Sequence, residues 1–308
     1  MAVRDQPGRI GIWQGGGVPK AAADQLAPLR DWYAREARDL PWRRPGVSPW
    51  EVLVSEVMLQ QTPVARVLPA YARWIERWPT PAALAAAPSG DAVREWGRLG
   101  YPRRALRLHG SAVACVERHG GEVPSDLADL RALPGVGSYT AAAVAAFAFG
   151  LRVAVIDTNV RRVVARWSLG GPDALAMADP VVRDLLPDDP PVAVRTSIAL
   201  MELGALVCSS RSPRCGSCPI AAQCRWLRAG APTREEAGVP RRRPQGYEGT
   251  DRQVRGRILA LLRDAEHALE STALDATGSD HAQRERALAS LLDDGLVVTV
   301  PGGYALPA

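Results

Sequence analysis

The sequence predicts an all-α protein with one small module appended, and three observations lead to this prediction. Apolar residues recur with helical spacing from about residue 23 to residue 228, and alternating strand patterns are almost absent there. In addition, 47% of the 308 residues are hydrophobic, which is enough to fill a substantial core. The length suits two compact domains, or one domain with an appended module.

The individual helices follow from local patterns. Ser48-Pro49-Trp50-Glu51 has the residues of a capping box with proline at the first helical position, so a helix begins there. Further helices are predicted at residues 64–77, 91–97, 104–118, 126–132, 138–149, 157–168 and 192–206.

The remaining segments carry other patterns. Residues 1–22 are rich in glycine and polar residues, and we interpret them as a disordered arm. Residues 229–250 mix proline, glycine and charge, which is typical of a linker. In residues 251–308, apolar spacing from Val254 predicts one helix, Ser279 is a candidate cap for a second, and LVVTVPGGYAL predicts a hairpin. This order indicates a small C-terminal winged-helix-like module.

The charge distribution points to a polyanionic partner for the first part of the chain. The net charge is +5. Residues 251–308 contain six arginines and nine acidic residues, so they carry about −3 and the first 250 residues carry about +8. No long apolar run opens the chain, and the most apolar stretch, residues 140–156, is interrupted by Gly150 and Arg152. We therefore expect a cytoplasmic protein without a membrane segment.

Four of the five cysteines lie close together in the sequence. Cys208, Cys215, Cys218 and Cys224 fall within seventeen residues and are separated by six, two and five residues. Such short separations let four sulfurs converge on one metal centre, so the sequence predicts a four-cysteine metal site on a surface loop. A structural zinc site and two disulfide bonds are the alternatives that the spacing leaves open.

A glycine-containing turn separates two of the predicted helices. In Leu133-Pro134-Gly135-Val136-Gly137, two glycines allow a tight turn and present bare N–H groups at a helix N-terminus. Such an arrangement binds a phosphate oxygen. An ordinary interhelical turn is the alternative.

Two carboxyl groups are candidates for chemistry. Glu56 lies in the middle of an apolar helix, next to Gln60 and Gln61, so it is either at a solvated edge or buried with a raised pKa. Asp157 follows an apolar run and precedes Asn159 at the head of a predicted helix, where the helix dipole stabilises an ionised carboxylate. Taken alone, Asp157 is best explained as a helix cap.

These motifs occur together in one known family. The segment SEVMLQQT (residues 55–62), the LPGVG turn and the four-cysteine loop resemble the MutY-type adenine DNA glycosylases of the helix-hairpin-helix, or endonuclease III, superfamily. The resemblance covers about residues 25–228. It implies that residues 46–151 form a six-helix domain whose hairpin holds the DNA backbone. It also implies that residues 23–45 and 152–228 form a second helical domain around a [4Fe–4S] cluster bound by the four cysteines.

The resemblance implies a function as well, the removal of adenine mispaired with 8-oxoguanine or guanine in double-stranded DNA. Purine departure needs protonation of the base and leaves an oxocarbenium-like sugar. Glu56 would be the general acid and Asp157 would stabilise or trap the sugar cation, with Tyr139 and Asn159 as catalytic neighbours. Gln61 and Tyr101 would enter the base stack. The full set expected to bind DNA or line the adenine pocket is Trp42, Arg43, Leu59, Gln60, Gln61, Tyr101, Gly135, Val136 and Gly137.

Two features of the sequence limit what carries over from the wider superfamily and from MutY enzymes. The only lysine is Lys20, and Ser138-Tyr139 stands where the endonuclease III branch has a Schiff-base lysine. We therefore predict a monofunctional glycosylase, acting as a monomer. Residues 251–308 do not match the longer Nudix-like domain of MutY enzymes, so selectivity for 8-oxoguanine does not carry over. The competing hypotheses are a glycosylase for another damaged or mismatched base and a non-catalytic iron–sulfur protein that scans DNA.

Overall fold

The computed structural model describes residues 25–233, 235–236, 246–278 and 280–308. The predicted disordered arm, part of the predicted linker and Ser279 lie outside the described residues.

Contacts group the described residues into two compact units. Unit 1 consists of residues 25–37 and 156–236, and unit 2 consists of residues 38–155 and 246–308. The observed boundaries lie at 37/38 and 155/156, whereas we expected 45/46 and 151/152. Trp42 and Arg43 therefore belong to unit 2.

The described α-helices are, in chain order, α1 (Ala27–Glu36), α2 (Pro49–Leu59), α3 (Val64–Arg77), α4 (Pro81–Ala85), α5 (Ser89–Trp96), α6 (Arg103–Arg118), α7 (Leu127–Ala132), α8 (Ser138–Phe149), α9 (Thr158–Val164), α10 (Ala178–Leu185), α11 (Pro190–Leu206), α12 (Arg225–Arg228), α13 (Asp251–Asp264) and α14 (His281–Asp293). Between them lie 3₁₀ turns at Pro41–Arg43, Pro172–Met177, Cys215–Ser217, Ala221–Gln223 and Ser271–Thr277, and a π-helical turn at Ala165–Leu169. The strands are β1 (Val298–Val300) and β2 (Gly303–Ala305).

The all-α prediction is confirmed, and the predicted helices recur with ends shifted by at most two residues. The helix predicted at 157–168 consists of α9 and the π-helical turn that continues it. Four of the described helices, α1, α4, α10 and α12, were not individually predicted. Helices α4 and α12 have only five and four residues, and α10 carries Pro180 near its start, so none of these three displays a long apolar period. Within the described ranges, no helix has both the length and the apolar character that a membrane crossing would need.

In unit 1, α11 packs against α1 and α9. Asp189 caps α11 because its carboxylate accepts a hydrogen bond from the Val192 N–H. Arg161 on α9 donates two hydrogen bonds to Asp179 on α10, at 2.6 and 2.7 Å, and so ties these two helices together.

In unit 2, the capping box at Ser48 forms as predicted. Its Oγ accepts from the Glu51 N–H at 3.3 Å, and the Glu51 carboxylate accepts from the Ser48 N–H at 2.8 Å. Helix α2 then packs against α3 and α8. Beside it, the ring of Trp74 meets Trp78 and Trp96 edge-on, with centroids 4.7 and 5.6 Å apart. These large aromatic side chains fill the core between α3 and α5.

The C-terminal segment, residues 246–308, contains the predicted elements. Helices α13 and α14 precede the antiparallel pair β1–β2, and Leu269 adds an isolated bridge to Tyr304. Asp280 caps α14 by accepting from the Gln283 N–H at 3.1 Å. The hairpin turns at Gly302, whose φ is +93°. The segment is thus winged-helix-like in the order of its elements.

The C-terminal segment is part of unit 2. We expected residues 251–308 to form a module of their own, but their buried apolar side chains, Ile258 and Leu291 among them, belong to the same core as helices α2–α8. Arg94 on α5 donates to the carbonyl oxygen of Arg263 at 3.0 Å. The Gly90 N–H donates to the carbonyl oxygen of Pro307 at 2.8 Å. Burial and these hydrogen bonds fasten the segment to α5.

Gly90→Ala should loosen this attachment, because a Cβ at position 90 would lie 2.2 Å from the carbonyl oxygen of Pro307. We expect the free energy of unfolding to fall by about 1–3 kcal/mol and hydrogen exchange to accelerate at residues 303–308. Gly110→Ala, in helix α6, is the matched control because its nearest neighbour is a Pro134 side-chain atom at 3.4 Å. Unchanged stability and exchange in Gly90→Ala would contradict the described docking.

Candidate active site

Glu56 lies on α2, and only 4% of it is exposed. Its neighbours in sequence, Ser55 and Val57, are buried as well. The solvated-edge alternative for Glu56 is therefore excluded. Burial disfavours the charged form of a carboxyl group, which is the condition for a side chain that acts as an acid near neutral pH.

The end of α2 meets the beginning of α8. Gln60 follows the last residue of α2, and its side-chain amide donates to Thr140 Oγ1 at 3.2 Å. Tyr139, the residue before Thr140, is half-buried in the first turn of α8. Unit 2 thus brings Gln60 and the predicted catalytic neighbour Tyr139 to adjoining helix ends.

Two exposed turns carry the side chains predicted to enter the base stack. Gln61 follows α2 with φ +56°, and Tyr101 precedes α6 with φ +49°. A left-handed backbone costs a non-glycine residue about 1–3 kcal/mol. Tyr101 is 54% exposed, so its ring is not a core residue.

The predicted pocket wall is made of residues with different exposure. Trp42 is 6% exposed and meets the ring of Tyr71 edge-on, with centroids 5.1 Å apart. Burial raises the pKa of the Tyr71 hydroxyl, which keeps it neutral. Arg43 and Leu59 are half-buried. Core packing is therefore one role of Trp42, whereas Arg43 and Leu59 retain accessible surface.

The predicted hairpin forms between α7 and α8. Gly135 has φ +80°, and a Cβ there would lie 2.7 Å from the Cβ of Arg107, so both the conformation and the space require glycine. Val136 is buried and anchors the turn. Gly137 is exposed at the N-cap of α8, and no side chain caps this helix. The first N–H groups of α8 can therefore bind a phosphate oxygen.

In unit 1, Asp157 caps α9, and both of its carboxylate oxygens are hydrogen-bonded. One accepts from the Val160 N–H at 2.7 Å, and the other accepts from the Asn159 side-chain amide at 2.8 Å. Asp157 is half-buried. The cap and the Asn159 contact fix the orientation of its carboxylate.

Arg162 connects Asn159 to the cysteine loop. Its guanidinium donates to the side-chain oxygen of Asn159 at 2.6 Å and to the carbonyl oxygens of Gly204 at 2.6 Å and Cys208 at 2.7 Å. Hydrogen bonds therefore run without interruption from Asp157 through Asn159 and Arg162 to the backbone of the first cysteine. Burial lowers the pKa of Arg162, and the accepting oxygens compensate for its desolvation.

The four cysteines lie in one loop that a second arginine braces. Arg166 donates to Cys208 Sγ at 3.4 Å and to the carbonyl oxygens of Ser209 and Ser210, and its guanidinium lies over the ring of Trp226. Backbone hydrogen bonds close the loop into two 3₁₀ turns, Cys215–Ser217 and Ala221–Gln223.

The chemistry of these cysteines suits a cationic centre. All four are half-buried, and none of them forms a disulfide bond in the structure. Burial first, and then the three other cysteines of the loop, raise the pKa of the Cys218 thiol to about 11. A metal centre must overcome this effect, since it binds thiolates. In the described part of the chain, no three His, Cys, Asp or Glu side chains lie close enough together to hold a metal ion.

Sequence reasoning missed four residues that contact candidate site residues or the turns beside them within their own units: Arg104 in unit 2, and Arg162, Arg166 and Gly204 in unit 1. Three are arginines in an arginine-rich chain, so their residue type alone did not distinguish them from the other arginines. Burial lowers the pKa of one of them, Arg104, to about 10. Gly204 is a helical glycine, and its position in α11 is the only sequence signal that could have indicated close helix packing.

Two comparisons of sequence bear on this site. A family model described as HhH-GPD superfamily base excision DNA repair protein matches residues 54–178. An adenine DNA glycosylase of Mycobacterium tuberculosis (strain CDC 1551 / Oshkosh) is 56% identical over 285 residues, which cover 91% of this chain and 92% of that protein. The adenine DNA glycosylase of Homo sapiens is 40% identical over 214 residues, which cover 64% of this chain and 38% of that protein.

Solved structures resemble the helical body. A thermostable thymine-DNA glycosylase superposes with a TM-score of 0.60 and 26% identity, covering 68% of this chain and 98% of that chain. Endonuclease III in a trapped covalent intermediate with DNA superposes with a TM-score of 0.58 and 26% identity, covering 68% and 96%. These similarities agree with the fold class and with the helical arrangement described above.

Gly204→Ala should disturb the junction of α9 and α11, because a Cβ at position 204 would lie 2.6 Å from the Cβ of Asn159. The helices would have to separate, at a cost of about 1–3 kcal/mol in the free energy of unfolding. Ala205→Ser, at the exposed neighbouring position, is the control and should change stability little. Denaturation curves of the two variants provide the measurement, and equal stability would contradict the close contact.

Proposed function

The chain belongs to the adenine DNA glycosylase family, and we propose that it removes adenine mispaired with 8-oxoguanine or guanine by means of Glu56 and Asp157. The family assignment rests on the identity with the curated relatives, which extends over most of the chain. The single structural observation that carries the proposed chemistry is the burial of Glu56 in an apolar helix. The substrate is double-stranded DNA, and the protein acts on it as a monomer.

In the proposed reaction, Glu56 donates a proton to a ring nitrogen of the adenine. Protonation turns the base into a leaving group that can accept the electron pair of the bond between C1′ and N9 as that bond breaks. A buried carboxyl group is suited to this step, because burial favours its neutral, proton-donating form. Tyr139, at the start of α8, and Gln60, bonded to that helix, complete the polar surroundings on unit 2.

Asp157 stabilises the cation that remains. Departure of the base leaves positive charge on the sugar, and a carboxylate can stabilise or trap it before water adds to C1′. Support for this role comes from the hydrogen bonds at 2.7 and 2.8 Å that orient the carboxylate before substrate arrives. Asn159 is a positioning residue in this proposal, since it acts on the sugar only through Asp157.

The hairpin and the two exposed turns contact the DNA. The uncapped N-terminus of α8 at Gly137 binds a backbone phosphate without reading sequence. Extrusion of adenine from the duplex leaves a gap in the base stack. Gln61 and Tyr101 fill that gap, and their exposure on unit 2 supports the assignment. Arg43 and Leu59 contact the extruded base, together with the accessible edge of Trp42.

We propose that the four cysteines hold a [4Fe–4S] cluster. Support comes from the cysteine-only donor set and from the free state of all four thiols. When bound, the cluster supplies structural rigidity to the loop, since protein provides every ligand. The loop residues Arg211 and Arg214 are exposed and are available for phosphate.

We also propose that the enzyme has no lysine-dependent lyase step. The lysine-dependent lyase step begins with a Schiff base on a lysine amine, and the only lysine in the sequence, Lys20, falls in the predicted N-terminal arm. Ser138 and Tyr139, after the hairpin, offer no amine. The chain therefore releases the base and leaves the DNA strand intact.

Glu56→Gln should abolish adenine excision and preserve DNA binding. The amide keeps the shape of the side chain and cannot donate the proton, so we expect the single-turnover rate constant to fall by about 10²–10⁴-fold. Duplexes with adenine opposite 8-oxoguanine, guanine or thymine serve as substrates, and the order of wild-type rates gives the opposite-base preference. Glu51→Gln, in the capping box of the same helix, is the control and should remain active.

Two results would count against this proposal. Full activity in Glu56→Gln would exclude this residue as the acid. Wild-type protein that binds the duplexes and excises nothing from any of them would favour another base or a scanning role.

Purified protein should contain about four iron atoms and four sulfides per chain and absorb visible light. Cys208→Ser should reduce the iron content and weaken DNA binding, because the loop loses a ligand. Cys115→Ser removes the remaining cysteine, which is buried in unit 2, and should leave the iron content unchanged. Stoichiometric zinc in place of iron would contradict the cluster.

A further inference from the structure

The two residues proposed to enter the base stack share an unusual backbone. In the described residues, only Gln61, Tyr101 and Ala231 have positive φ without being glycine. Each of the first two lies in an exposed turn at a helix end. A strained, exposed turn keeps its conformation only when surrounding groups determine it.

One buried side chain contacts both turns. Arg104, in the first turn of α6, is 5% exposed. It donates to the carbonyl oxygen of Gln60 at 2.6 Å and to the carbonyl oxygen of Gly100 at 2.8 Å. These are the peptide groups immediately before Gln61 and Tyr101. Because φ describes the rotation between a peptide group and the following Cα, fixing each peptide restricts the φ of the residue that follows it.

The same guanidinium also donates hydrogen bonds to carbonyl oxygens at the C-terminal end of α2. It donates to the carbonyl oxygens of Val57 and Met58, both at 2.9 Å, which have no intrahelical partner at a helix C-terminus. Positive charge at this end is favoured by the helix dipole. Arg104 is thereby anchored on a rigid element before it reaches the two turns.

Additional contacts join the turns to each other. Arg104 donates to Thr62 Oγ1 at 2.9 Å, and the Thr62 hydroxyl lies 3.2 Å from the carbonyl oxygen of Leu99. The Trp96 indole N–H donates to the carbonyl oxygen of Gly100 at 3.0 Å. The guanidinium lies over the rings of Trp96 and Tyr101, at 5.0 and 5.6 Å from their centroids. Hydrogen bonds and ring contacts to Arg104 therefore connect the two turns to each other.

We propose that Arg104 is a positioning residue that sets Gln61 and Tyr101 in the conformation needed to fill the gap left by the extruded base. This inference rests on the proposed function of those two residues. Arginine suits this position because five acceptors surround its two terminal nitrogens, whose four hydrogens point in fixed directions in the guanidinium plane, so that at least one hydrogen is shared between two acceptors. A lysine ammonium has three donors at one point and cannot span both turns.

A double-mutant cycle tests the inference. Arg104→Met is made in the wild-type chain and in a chain carrying Gln61→Gly and Tyr101→Gly. Glycine removes the inserted side chains and accepts positive φ without strain. We expect Arg104→Met to lower the single-turnover excision rate about tenfold or more in the wild-type chain and less than about twofold in the glycine background. An equal loss in both backgrounds would overturn the proposal, because Arg104 would then act through α2 and Glu56.

A fluorescence signal reports insertion directly. A duplex with 2-aminopurine next to the mispaired adenine becomes brighter when stacking is interrupted. Arg104→Met should reduce this increase as strongly as Gln61→Gly with Tyr101→Gly does. A full increase in Arg104→Met would overturn the proposal. If the glycine variant excises adenine as fast as wild type, Gln61 and Tyr101 are not the inserted residues and the proposal is overturned. Absence of any excision by the wild-type protein would instead count against the proposed function itself.

Two further variants test whether a loss of activity in Arg104→Met could result from misfolding. Arg284→Met removes another largely buried guanidinium of unit 2, whose partners Asp275 and Gly278 both lie in the C-terminal segment. It should keep wild-type excision. Arg104→Lys retains the charge, and we expect it to fold and still lose most of the fluorescence increase. Full activity and fluorescence in Arg104→Lys would show that charge alone suffices and would overturn the argument from geometry.

Discussion

Carbonyl oxygens at the ends of buried helices need hydrogen-bond donors, and arginine side chains supply them throughout this protein. Arg104 serves the end of α2, and Arg162 serves the carbonyl of Gly204 near the end of α11. Arg166 and Arg94 serve the cysteine loop and the C-terminal segment in the same way. A guanidinium is suited to this task because it satisfies several acceptors at once and remains charged when desolvated. Without these donors the loops would leave buried polar groups unsatisfied.

The groups proposed to be functional also lie near helix ends. Glu56 is one turn from the end of α2, Asp157 caps the start of α9, and the N–H groups proposed to bind phosphate belong to the start of α8. Helix ends expose unpaired backbone groups and partial charge, so they are natural places for anion contacts and for orienting carboxylates. The strain at Gln61 and Tyr101 is local to such ends, where the regular helix does not constrain the backbone.

Acidic charge and burial give the C-terminal segment a different character from the rest of the chain. Residues 251–308 carry about −3, and the apolar residues of the segment complete the core of unit 2. The contribution of the segment to the described fold comes from packing against α5, through shared apolar burial and the hydrogen bonds of Arg94 and Gly90. The glycine at position 90 permits this packing because no side chain stands between the helix and the C-terminal tail.

The sequence by itself determined the helices, the hairpin turn and the candidate groups, because these depend on short-range patterns. The capping box at Ser48, the LPGVG turn and the four-cysteine loop can each be recognised from residues that lie close together in the sequence. Tertiary structure alone decided that Glu56 is buried, that Arg104 joins two turns and that Arg162 connects Asn159 to Cys208. It also decided that residues 246–308 share a core with α2–α8. These features depend on contacts between residues far apart in the chain, and an arginine-rich sequence offers no local signal for which guanidinium will be buried or which carbonyl it will reach.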